Sequence, residues 1–223
     1  MKHTIHGSVD PAETLAKRIA DATQHQDRFY LALSGGNSPK QLFSHMVTTY
    51  RNEIPWDKLC IFQVDERGVG PEHQDSNWRM TATTLLNLVP AVEAYRMEAE
   101  RENAAEDYEL LLEKTLPQNE AGVPVFDMII LGMGGDGHTA SLFPGTAALE
   151  EHERFVVRNT VPQLDTYRVT LTYPVINAAK ARCFLVLGDD RVDVVRAVQG
   201  GAYPAGKIVD PEWYLDESAA AQL

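Results

Sequence analysis

The sequence predicts an α/β fold, a mainly parallel sheet covered by helices on both faces. Three observations lead there. Short apolar runs alternate with helix-patterned segments from end to end. The runs are apolar throughout instead of at every second residue, as in strands buried on both faces. The glycine- and charge-rich motifs follow three of these runs directly, at the strand ends where open parallel sheets bind ligands. No linker, internal repeat or low-complexity segment interrupts the pattern, so residues 1–223 read as a single domain.

The elements follow in order. Residues 1–10 carry His3 and His6 and no apolar core, which reads as a mobile start and not as a secretory signal. Asp10-Pro11-Ala12-Glu13 combines an N-cap, a first-turn proline and a returning carboxylate. Ala12, Leu15, Ala16 and Ile19 then repeat at helical spacing. Residues 29–33 form a buried strand ended by Ser34-Gly35-Gly36-Asn37, and Ser38-Pro39-Lys40-Gln41 opens a second helix with a capping-box pattern. Residues 59–64 form a strand ending in Asp65-Glu66-Arg67, and Ser76 opens a helix through about Leu86. Asn103 and Glu106 cap a helix whose apolar face holds Ala105, Tyr108, Leu111 and Leu112. Residues 126–131 form the next strand, followed by Gly132-Met133-Gly134-Gly135-Asp136-Gly137-His138. Later strands fall at 155–157, 169–172 and 184–187, and a helix covers 191–199.

Composition narrows the function. With 44% hydrophobic and 23% charged residues the chain has an ordinary globular balance. A chain this long buries roughly 70% of its unfolded surface and needs no disulfide or metal staple. Cys60 and Cys183 each sit inside an apolar run and read as buried free thiols, which fits a cytoplasmic protein. No apolar stretch approaches the ~20 residues of a membrane helix, so no membrane role is expected. A net charge of −12 argues against nucleic acid as a partner. An anionic small molecule then needs a local cluster of arginine or lysine.

Three motifs carry the chemistry. In Leu33-Ser34-Gly35-Gly36-Asn37-Ser38-Pro39 the glycines let backbone approach a ligand, and free amides at a helix start attract phosphate. The bland alternative is a plain strand-to-helix turn. A serine-hydrolase elbow is a poorer fit, because no histidine lies beyond His152. The second motif, Asp65-Glu66-Arg67, precedes a glycine-proline loop over 68–75 able to close over a substrate, and Arg67 suits bidentate phosphate binding. The third motif, residues 131–144, matches G-x-G-x-x-G literally, yet Pro144 comes too early for the long helix of a dinucleotide site. The better reading is a glycine turn that presents Asp136 and His138: a neutral imidazole deprotonates water near pH 7, and a carboxylate orients the ring. Neither H-E-x-x-H nor a nucleotide P-loop occurs, and no metal constellation is read.

In order and spacing, these motifs resemble those of the 6-phosphogluconolactonases in the glucosamine-6-phosphate isomerase/deaminase superfamily. The resemblance continues through Arg168-Val169-Thr170-Leu171-Thr172, Asn177-Ala178-Ala179 and Trp213-Tyr214-Leu215-Asp216. It implies a modified Rossmann-like sheet and hydrolysis of 6-phospho-D-glucono-1,5-lactone in the pentose phosphate pathway, with no metal or organic cofactor. It implies His138 as general base beside Asp136, and Ser34, Gly35, Gly36, Arg67 and Arg168 as contacts to the substrate and its phosphate. Arg191, where family members often carry lysine, is a further phosphate candidate; an arginine there keeps the charge but changes the geometry. The rival is the deaminase branch, whose loop resembles Asp-Gly-His-Ile-Ala-Phe-Asn-Glu-Pro. Here Phe143 stands at the position of the acid, and phenylalanine transfers no proton. Outside this class stand a non-catalytic sugar-phosphate binding protein and a nicotinamide-dependent oxidoreductase. The residues set no oligomeric state.

Overall fold

Seven strands pair edge to edge, every neighbouring pair parallel, in a computed structural model that describes residues 2–90, 92–188 and 192–223. Their order is β1 (Thr4–Ser8), β10 (Glu212–Asp216), β9 (Ala181–Val186), β6 (Met128–Leu131), β2 (Phe29–Leu33), β3 (Leu59–Gln63) and β5 (Glu93–Tyr95). Alternation along each central strand divides its side chains between two cores. Leu31, Ile61, Ile130 and Leu185 face one side, where helices α1 (Pro11–Gln24) and α2 (Asn37–Thr48) supply Leu15, Ile19, Leu42 and Phe43. Ala32, Phe62, Ile129 and Phe184 face the other. There they meet Tyr108 and Leu112 of α4 (Ala104–Thr115), Ile176 of α5 (Tyr173–Ala178), Val195 of α6 (Val192–Gln199) and Ala219 of α7 (Glu217–Ala220). Full burial of each leucine, isoleucine, valine or phenylalanine among them contributes roughly 1.5–3 kcal/mol. Two apolar faces explain why these strands carry no polar alternation.

A second, antiparallel sheet stands at the end of the first, in the order β4 (Asp65–Arg67), β8 (Thr166–Leu171), β7 (Val156–Val161). Val64 joins the two sheets. Its amide donates to Leu33 O in the large sheet (3.0 Å), and its carbonyl accepts from the Leu171 amide (2.9 Å). The expectation of one parallel sheet therefore needs an addition: the runs near 155 and 169 pair as a hairpin, and only β4 shares their sheet.

Other local expectations are corrected. The start is not loose, because β1 pairs along its length with β10 and His6 stacks on Tyr214 at 4.5 Å. The apolar signal is weak there since the strand is half-exposed at the sheet edge. Helix α2 begins at Asn37 with Gly36 as its N-cap, so Ser38 lies inside the first turn and caps nothing. Asn103 precedes α4 without a side-chain cap bond. Asp10 and Ser76 do cap, accepting from the amides of Glu13 (2.9 Å) and Arg79 (3.1 Å), the latter at the start of α3 (Asn77–Thr84). No helix among the described residues is long and apolar enough to cross a membrane.

Candidate active site

The carboxyl ends of β6, β2 and β3 are neighbours in the sheet, so the three motifs open into one cleft of about 300 Å³. Its walls include Ser34, Gly35, Gly36, Asp65, Arg67, His138 and Arg168. On the β2 side, Asn37, Ser38 and Pro39 of the first turn of α2 line the cleft, and the unpaired amides of a helix start are a favourable setting for an anion. Gly35 leaves no room for a side chain: a Cβ there would lie 1.8 Å from Asn77 Oδ1. Gly36 has φ +113°, where residues with side chains are strained. The Ser34 hydroxyl is buried and has no hydrogen-bond partner among the described residues.

The small sheet supplies the cations. Arg67 and Arg168 lie directly opposite each other across β4 and β8, so their side chains leave the same face. Burial and the Arg67 guanidinium lower the pKa of Arg168 from its ordinary value, and no carboxylate among the described residues forms an ion pair with it. Two guanidiniums so placed repel one another until an anion joins them. Arg67 is steadied by donating to Asp75 O. Glu66, the residue before Arg67 on β4, leaves the opposite face. Its carboxylate accepts from the amides of Arg67, Asn77 and Trp78, from Gln63 Nε2 (2.9 Å) and from the Ser76 hydroxyl (3.0 Å).

On the β6 side, Asp136 Oδ1 lies 2.5 Å from His138 Nδ1 and 3.2 Å from the His138 amide. Burial alone would raise the Asp136 pKa, but hydrogen bonds from the His138 ring and amide hold it below the ordinary aspartate value. With the carboxylate accepting at Nδ1, the neutral ring carries its proton there and leaves Nε2 as the basic nitrogen. Phe143 stacks on the imidazole, with ring centroids 4.0 Å apart at 26°.

The structure thus brings Ser34, Gly35, Gly36, Arg67, Asp136, His138 and Arg168 to one place. Arg191 lies outside the described residues. Residues 68–75 contribute nothing to the cleft wall. Ser34 has no histidine bonded to its hydroxyl, as a nucleophile elbow requires. The sequence reading missed Asp65, whose carboxylate accepts from the Ser141 hydroxyl (2.7 Å), and Asn77, whose amide donates to Asp65 O (3.0 Å). Asp65 stands in the second motif and Asn77 follows Ser76, but their partners lie 76 and 12 residues away, beyond any local pattern.

Comparison with known proteins agrees on one family. The profile described as Glucosamine-6-phosphate isomerases/6-phosphogluconolactonase matches residues 8–214. A 6-phosphogluconolactonase from Nostoc sp. is 35% identical, covering 100% of this chain and 99% of its own. One from Synechocystis sp. is 38% identical, covering 92% and 89%. The crystal structure of a devB protein superimposes with a TM-score of 0.91 at 33% identity, covering 100% of this chain and 99% of that one.

Proposed function

The chain belongs to the glucosamine-6-phosphate isomerase/6-phosphogluconolactonase family, and from that premise we propose that its cleft hydrolyses 6-phospho-D-glucono-1,5-lactone to 6-phospho-D-gluconate. The observation that carries the reading is the juxtaposition of the His138–Asp136 pair with two arginines and a helix start in one cleft. A base for water and a seat for a dianion are the two things this hydrolysis requires.

In this mechanism the phosphate binds to the Arg67–Arg168 pair and the amides at the start of α2, with the Ser34 hydroxyl donating to it. Binding energy from this remote group fixes the ring carbon near His138. His138 Nε2 takes a proton from water as the water oxygen attacks C1, and Asp136 holds the resulting imidazolium. Backbone amides of the glycine turn and the neighbouring guanidiniums stabilise the oxyanion. The bond between C1 and the ring oxygen then breaks, and the ring oxygen recovers the proton from His138. The product carries both a phosphate and a carboxylate. No step calls on a metal or an organic cofactor.

The reaction places the protein in the pentose phosphate pathway. The free, buried thiols of Cys60 and Cys183 support a reducing, cytoplasmic setting. The deaminase reading lacks its acid, since Phe143 occupies that position against the His138 ring. Loss of freshly made lactone, corrected for spontaneous opening, tests the proposal with glucosamine 6-phosphate run in parallel. Lactone loss without ammonia is expected. Ammonia release without lactone turnover overturns it.

A further inference from the structure

The His138 ring is held on more sides than the Asp136 bond requires. Phe143 is buried and stacks on its face at 4.0 Å. Gly134 closes on its edge: a Cβ there would lie 2.3 Å from both Nδ1 and Cε1 of His138 and 2.7 Å from Asp136 Oδ1. Gly134 has no positive φ, so its backbone would accept alanine, and the space it leaves serves the imidazole and its carboxylate. The turn itself is tied back by Gly134 N donating to His138 O (2.9 Å) and Gly137 N to Gly134 O (3.0 Å).

Phe143 is anchored in turn by the small sheet. Its carbonyl accepts from the Thr146 hydroxyl at 2.8 Å, and that oxygen accepts from Asn159 Nδ2 of β7 at 3.0 Å. Asn159 Nδ2 also donates to Ser141 O (2.9 Å), and the Ser141 hydroxyl donates to Asp65 of β4. Segment 141–146 is therefore fixed to the small sheet, whose strands β4 and β8 carry Arg67 and Arg168. A chain of bonds connects the position of the phosphate arginines to the face of the imidazole.

We propose that Phe143 and Gly134 are positioning residues that clamp the His138 imidazole, so that Nε2 meets the attacking water in register with a substrate seated on Arg67 and Arg168. The inference rests on the lactonase reading above and assigns Phe143 a positive role, beyond the mere absence of an acid. Stacking fixes the plane of the ring. The Asp136 bond fixes its rotation within that plane, and the Gly134 contact leaves it no room to tilt. None of these contacts touches the phosphate seat, so the clamp acts on turnover and not on affinity.

The test uses Phe143→Leu, Phe143→Tyr and Gly134→Ala, each also made with His138→Ala. Phe143→Leu and Gly134→Ala are expected to lower kcat by about tenfold to a hundredfold, the scale of a misplaced catalytic group. KM should stay within about twofold of wild type, and Phe143→Tyr, which keeps the ring, should retain most activity. In the His138→Ala background neither substitution should lower the remaining rate further, because both act through that ring. Proton NMR gives a second reading: the downfield Nδ1–H signal of His138 should broaden or vanish in Phe143→Leu and Gly134→Ala and persist in Phe143→Tyr. Unchanged kcat with an unchanged signal in the folded variants overturns the clamp, as do equal losses with and without His138. If Phe143→Leu fails to fold, Gly134→Ala decides alone. A wild-type protein without lactone turnover would overturn the functional reading, while the NMR signal still reports on the clamp.

Discussion

Ser34 and Arg168 are each left unsatisfied in a way that an anion would remedy. A buried hydroxyl without a partner costs about 1–3 kcal/mol, so Ser34→Ala should leave the melting temperature unchanged or slightly raised. The same substitution should raise KM about tenfold if the hydroxyl donates to the phosphate. An unchanged KM would show that Ser34 serves no ligand. Arg168 carries a guanidinium whose pKa is lowered by burial and by Arg67, so removing it relieves repulsion in the free protein. Arg168→Ala should mainly raise KM for the phosphorylated lactone with a smaller change in kcat. Steady-state kinetics check this, and equal KM values would refute the phosphate assignment. At this scale the sequence marked side chains that the fold brings to one cleft, because glycines, arginines and the Asp136-Gly137-His138 triplet sit in short contiguous motifs. It did not mark Asp65 or Phe143 as part of the machinery. Asp65 is joined to Ser141 from far along the chain, and Phe143 is held through Thr146, which Asn159 of β7 anchors.

Elements depend on a few carboxylates that accept several hydrogen bonds each. Glu66 ties the end of β3, the strand β4 and the first turn of α3 together through its five accepted bonds. Glu66→Ala should destabilise by about 3 kcal/mol or more, since several donors lose their partner at once. A denaturant titration measures this, and a loss within about 0.5 kcal/mol would show that water replaces the carboxylate. At the sheet's other edge, Glu212 of β10 bonds both Nη atoms of Arg18 on α1 and accepts from or faces His6 of β1. Burial would raise the Glu212 pKa, but the Arg18 and His6 contacts bring it below the ordinary glutamate value. A depressed carboxylate stabilises the fold fully above its unfolded pKa of about 4.3, and the contribution disappears as pH falls through the lower folded value. Glu212→Gln should therefore lower the melting temperature at pH 7 and converge with wild type once the pH is below the lowered folded pKa. A constant difference across that window would contradict the sign. Buried strands were legible because both faces are apolar. The edge strand β1 was not, since it gains its order from pairing with β10 and from His6 on Tyr214.

At the scale of the molecule, the cleft lies where two sheets meet, and Val64 belongs to the hydrogen bonding of both. The large sheet presents the helix start and the glycine turn; the small sheet presents the arginines and braces the turn from behind. The alternation of strand and helix made the parallel sheet readable. The antiparallel addition was not readable, because only short apolar stretches of β7 and β8 stand out beside Arg158, Asn159, Thr166 and Arg168, and the strand β4 that joins them lies far away in sequence. The overall charge of −12 stays compatible with an anionic substrate because Arg67 and Arg168 give the cleft a local positive charge. If His138 activates water for lactone hydrolysis, the turnover of freshly made 6-phosphogluconolactone by wild type and His138→Ala tests it most directly. With spontaneous opening subtracted and equal melting temperatures, kcat of the variant should fall by roughly a hundredfold or more. A folded His138→Ala protein that hydrolyses the lactone at a near-normal rate would contradict the account.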